Sequence, residues 1–101
     1  MNQDAKELAE RQAEICKLFG NACRILILWS LSEREMPVGE IAEQVGTSLQ
    51  NISQHLSLLK EHDIVIARRE GQTIYYRIAD SNWIRECPVL LNAPSKYSIK
   101  P

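Results

Sequence analysis

Two stretches of this sequence carry side chains suited to gripping a polyanion. Over residues 47–60 (TSLQNISQHLSLLK) polar residues interleave with Leu and Ile, and no Asp or Glu interrupts them. Ser48, Gln50, Asn51, Ser53 and Gln54 are short and polar, as an edge entering a major groove about 12 Å wide demands. Gln and Asn amides pair bidentately with adenine, while Ser hydroxyls and the free amides of a helix start suit phosphate oxygens. Thr47 adds a hydroxyl at the entry, and His55 and Lys60, farther along, suit the phosphate backbone. In the second stretch, Arg68, Arg69 and Gln72 flank Gly71, a pattern for tracking phosphates or entering a minor groove whose width guanidinium groups read. The plain alternative for the first stretch is the solvated face of an amphipathic helix. Its lack of carboxylates favours the anion-facing reading.

Three cysteines, Cys16, Cys23 and Cys87, are the remaining soft donors. Thiolates select Zn(II), Cu(I) and other soft ions, and three of them suit a trigonal As(III) or Sb(III). Cys23 falls at the second position of an expected helix, beside Arg24, where helix dipole and cation both favour the thiolate. The alternative for each cysteine is a small buried hydrophobe. His55 and His62 are seven residues apart, roughly 10 Å along one helix, too far to share a metal. No cofactor is required by any motif. A Cys and a His could nominally form a nucleophile and base, but no Gly-rich phosphate loop or paired-carboxylate motif accompanies them, so an enzyme is not expected.

The elements that position these residues follow from periodicity. Asp4 caps a first helix carrying Leu8, Ile15, Leu18 and Phe19 and ending at Gly20. Asn21 caps a second, with Ala22, Ile25, Leu26 and Trp29 at helical spacing as its buried stripe. A polar turn over 32–36 leads through Pro37 to a short third helix on Val38, Ile41, Ala42 and Val45. Gly46 stops it, and a fourth helix follows to about Glu61, with Leu49, Ile52, Leu56 and Leu59 as its buried face. The pattern then alternates, placing Ile64 and Ile66 on one side and Ile74, Tyr76 and Ile78 on the returning arm, with Gly71 supplying the positive φ of a tight reversal. Asp80 caps a short helix over 81–86, and Pro88 and Pro94 prevent a long one.

This order reads as one mostly α domain over 1–101 with a β-hairpin wing, a winged helix-turn-helix. Its parts are a first helix over 1–20, the helix-turn-helix over 38–61, the wing over 64–79, and a short helix and tail over 80–101. With 45% hydrophobic and 25% charged residues, the 101-residue chain is no disordered tail. Its net charge of −1 hides an asymmetry: residues 1–46 hold five basic and eight acidic side chains, and 47–101 seven and five. The longest apolar run, 25–29, is far short of a membrane span. The polar start through Glu7 is unlike a signal peptide. A cytoplasmic location and no membrane partner are expected.

Val38-Gly39-Glu40-Ile41-Ala42, Ser53-Gln54-His55-Leu56 followed by Leu59, and the string from Arg68 to Arg77 resemble the ArsR/SmtB family of bacterial and archaeal winged-helix repressors. Phe19-Gly20-Asn21 before Arg24-Ile25-Leu26 is also similar to that family, and the resemblance runs over about 15–80. It implies a homodimer that binds an operator palindrome in double-stranded DNA and releases it on meeting an inducer, here As(III), Sb(III), Zn(II) or a thiol oxidant. It also implies that the first and last helices pack together in the dimer, bringing Cys87 toward Cys16. Residues 36–41 lack the cysteines of the family's helix-3 metal site, and no histidine follows His62 to build its other zinc site. Leu49 stands where many members carry Gln, and Trp29 where redox-sensing relatives carry a cysteine. Pro88 shortens the final helix, so dimerisation is expected to lean on the first. A winged helix that docks proteins rather than DNA is the rival reading.

Overall fold

The computed structural model describes residues 3–80, 84 and 87–94. Helix α1 (Gln3–Leu18) ends three residues before Asn21, whose side chain accepts from the Arg24 amide and starts α2 (Ala22–Leu31). Strand β1 (Met36–Pro37) runs straight into α3 (Val38–Val45). Gly46 closes α3 at φ 88°, a left-handed cap that a Cβ would strain. Ser48 then caps α4 (Leu49–Glu61), its Oγ accepting from the Asn51 amide at 3.1 Å. Asp63, at φ 59°, turns the chain from α4 into β2 (Val65–Glu70). Gly71, at φ 63°, reverses it into β3 (Thr73–Ile78), and α5 (Pro88–Leu91) opens on a proline whose missing N–H costs nothing at that position.

Ile27, Leu28, Leu31, Met36, Ile41, Ile52, Leu56, Leu59, Ile64 and Val65 form the core between α2, α3, α4 and the sheet. Four details differ from the sequence reading. The sheet has three strands in the order β1-β3-β2, because Met36, read as the end of a polar turn, and Pro37, read as the lead into the third helix, pair with Tyr76 and Tyr75. On α2, which is apolar nearly all round, the stripe that meets the core is Ile27, Leu28 and Leu31, whereas Ile25, Leu26 and Trp29 are half-buried and Ala22 is exposed. Ile64 lies before β2 rather than in it, so Val65 is the inward residue and Ile66 turns outward. Of the expected α1 stripe only Leu18 is buried, and Leu8 is 53% exposed, since the core of one chain reaches only the last turn of that helix. The helix expected over 81–86 lies outside the described residues except for Ile84, which is buried.

Candidate nucleic-acid interface

A helix turns about 100° per residue, so α4 divides into three strips. Ile52, Leu56 and Leu59 face the core. Asn51 and His55 are half-buried and lean on α2: the Asn51 amide donates to Thr47 Oγ1 at 3.2 Å and to Cys23 Sγ at 3.7 Å, and Arg24 reaches His55 Nδ1 at 3.3 Å. The third strip, Leu49, Gln50, Ser53, Gln54 and Ser57, is exposed, with Lys60 at its far end. Sequence reasoning thus grouped residues with two different tasks. Gln50, Ser53, Gln54 and Lys60 face solvent, while Thr47, Asn51 and His55 tie α4 to its support.

Arg24 is the centre of that support. Its Nε donates to the Leu18 carbonyl at 2.9 Å and one terminal nitrogen to the Lys17 carbonyl at 3.2 Å, capping the end of α1. Its bond to His55 requires a neutral ring with the proton on the other nitrogen. Burial first, and the guanidinium second, hold His55 below the usual histidine range.

At the wing, strand alternation separates the two arginines. Arg69 pairs across the ladder with Ile74, and Ala67 with Tyr76, on the sheet face that packs on the core. Arg68 pairs with Tyr75 on the opposite face. There it is bound by Glu35 and by Glu70, the latter at 3.0 Å, and lies over the Tyr75 ring at 4.8 Å from its centroid. The hydrogen bond from Arg68 draws the Glu35 carboxyl below its ordinary range, and the two carboxylates raise Arg68 further above its own. Arg68 is therefore not the free wing cation its sequence position implied. Adjacent strand residues cannot share a face. Arg69, by contrast, makes one bond among the described residues, from Nε to the Gly71 carbonyl at 3.0 Å, and remains exposed with Gln72 at the hairpin tip.

The wing and α4 meet at a hollow of about 400 Å³ lined by Ser53 from the helix and by Gln72, Thr73 and Ile74 from the hairpin, with Pro37, Val38 and Tyr76 behind them. The exposed strip of α4 and the tip of the wing therefore open onto the same side of the molecule. Leu49, Ser57 and Thr73 are part of this surface without having been singled out for it. Leu49 was placed on the buried face of α4 but is 56% exposed. As the residue after the cap it lies just beyond the angular reach of the core, which the apolar spacing alone did not reveal.

A family model described as a helix-turn-helix domain matches residues 19–68, from the end of α1 into β2. The HTH-type transcriptional regulator KmtR of Mycobacterium tuberculosis is 44% identical over 69 residues, which are 68% of this chain and 53% of that protein. The crystal structure of NolR from Sinorhizobium fredii superposes with a TM-score of 0.79 at 38% identity, covering 95% of this chain and 92% of that one. A homodimeric winged helix-turn-helix DNA-binding domain of Mb0332 from Mycobacterium bovis, described as a possible ArsR-family transcriptional regulator, superposes at 0.75 with 35% identity over 84% of this chain and 79% of that one. This chain belongs to the ArsR family of winged helix-turn-helix transcriptional regulators. Its family is one of regulators and not of enzymes, and the chain spans about half the length of KmtR, 53%.

In this ArsR-type regulator the cysteines stand on separate elements. Cys16 is exposed on α1, Cys23 is half-buried against the core at the start of α2, and half-buried Cys87 precedes α5. Among the described residues no group of three His, Cys, Asp or Glu side chains is placed to hold a metal ion. The three-thiol site expected for As(III) or Sb(III) is thus not formed within one chain, because its members are carried by three elements that do not converge. Among the described residues no helix is long and apolar enough to cross a membrane.

Proposed function

We propose that this regulator is a homodimeric, cytoplasmic repressor that grips a palindromic operator in double-stranded DNA. In this reading α4 enters the major groove, Gln50 and Gln54 meet base edges, and Ser48, Ser53 and Lys60 meet the backbone. Arg69 and Gln72 reach the flanking phosphates or minor groove from the wing. Thr47, Asn51 and His55 position α4, and Arg68 braces the sheet. The carrying observation is the shared hollow, where Ser53 of α4 lies beside Gln72 and Thr73 of the hairpin. The uncovered length of α1, with Leu8 exposed, is the surface offered to the second protomer. Selection from a random duplex pool tests the reading. It is expected to enrich two inverted half-sites whose centres lie about 34 Å, or a multiple of that, apart. No enriched inverted repeat would overturn it, and binding insensitive to salt would favour the protein-docking alternative.

Release by a thiol-directed inducer is the finer part of this proposal, and Cys23 is the thiol that supports it. Its sulfur accepts from the same Asn51 amide that holds Thr47, so covalent change there loosens the start of α4. Alkylation is expected to weaken operator binding by the parent chain and to leave a Cys23→Ser variant unaffected. Equal loss in both would remove Cys23 from the reading.

A further inference from the structure

We infer that Leu49 reads the C5-methyl group of a pyrimidine in each half-site, an inference that rests on the DNA-binding function proposed above. Of the other apolar residues of α4, Ile52, Leu56 and Leu59 are at most 1% exposed and Leu58 is half-buried against the core, whereas Leu49 leaves 56% of its surface to solvent. No helix-forming need explains it. Ser48 already supplies the cap, and a helix's first turn favours acidic residues or proline, not a bare apolar chain.

Its surroundings explain it better. One turn on, Ser53 shares its strip of the helix, and Gln50 follows it directly, so Leu49 belongs to the surface that faces a duplex. Beside it lies an open hollow of about 520 Å³ lined by Gly39, Ala42, Gly46 and Thr47, with the acidic residue Glu43 among them. Small residues there leave room for another molecule. A carboxylate repels phosphate, so the group approaching Leu49 is a base edge and not the backbone. In the major groove an apolar side chain distinguishes bases through one feature, the methyl carried at C5 of thymine and absent from cytosine and adenine. 5-Methylcytosine presents the same group. Leu49 thus offers an apolar contact at the leading end of α4.

The test uses the full chain and the duplex enriched by selection, with each thymine changed in turn to uracil, which removes only the methyl. A second set changes each cytosine to 5-methylcytosine. The parent protein is expected to lose roughly threefold or more in affinity at one symmetry-related pair of uracils. Leu49→Ala, whose circular dichroism should match the parent because the side chain is exposed, is expected to show no such loss, and Leu49→Gln likewise. A gain confined to one 5-methylcytosine pair, with no uracil effect, would support the same contact with the other methylated base. Uniform responses to every uracil and every 5-methylcytosine in both parent and Leu49→Ala would overturn the inference while leaving sequence-selective binding intact. Failure to bind any duplex would overturn the DNA-binding reading together with it.

Discussion

Replacing Arg69 and Arg68 separately by Gln should give opposite results, although the two are neighbours in sequence. On the side shared by α4 and the wing tip, each protomer of the proposed dimer presents Lys60 and Arg69 with no carboxylate partner among the described residues. Arg68 lies on the other face of the sheet, neutralised by Glu35 and Glu70. A dimer then neutralises about four phosphates, and at −0.9 per phosphate the logarithm of affinity should fall with the logarithm of salt at a slope of about −3.6. Affinity should drop roughly 150-fold between 50 and 200 mM salt. Arg69→Gln leaves about two cations, a slope near −1.8 and a loss of roughly 12-fold over the same interval. Arg68→Gln should keep the parent slope. Fluorescence anisotropy of a labelled duplex across that salt range measures all three. Equal flattening by both substitutions would refute the assignment of the arginines to opposite faces.

Three further outcomes follow from the supports of α4. Gly46→Ala places a Cβ at φ 88° with nothing within 4 Å of it, so the cost is backbone strain alone, about 1–2 kcal/mol in urea unfolding, and an unchanged midpoint would contradict it. Arg24→Ala removes two bonds to the carbonyls ending α1 and one to His55, and should destabilise the chain by about 2 kcal/mol. A change below about 0.5 kcal/mol would show that α1 is held otherwise. The folded His55 titrates below its unfolded value, so the unfolded chain binds the extra proton first. Its contribution should be fully present above about pH 6.5 and be lost as pH falls through the lowered folded value. Urea midpoints measured from pH 8 to 5 should fall less for His55→Gln than for the parent, and parallel curves would remove His55 as the titrating group.

Elements whose limits are set by local chemistry were legible in the sequence. Asn21, Gly46, Ser48 and Gly71 each perform the cap or reversal their residue type suggests, and the helix-turn-helix and hairpin follow from them. What depends on long-range pairing was not legible. Met36 and Pro37 carry no strand pattern and become β1 only because β3 offers an edge. The facing of α2 was ambiguous because Leu, Ile and Trp surround it, and no polar strip marks its outer side. Within the candidate site, composition pointed to α4 and the hairpin loop, and the structure sets Ser53 of the one beside Gln72 and Thr73 of the other. It did not show that Asn51 and His55 turn toward α2, nor that Glu35, more than thirty residues away in sequence, claims Arg68. These assignments depend on the angle about a helix and the alternation of a strand. The exposure of Leu49 was hidden for the same reason.

In the proposed function, α4 and the wing tip grip duplex DNA as one surface. Amide shift mapping of the isotopically labelled chain on adding the selected duplex tests it most directly. The expected result is large perturbation of residues 48–54, of Lys60 and of 69–73, with the outer sheet face at Ile66 and Arg68 little changed. Perturbation of only one of the two elements, or centred on the outer sheet face, would contradict it.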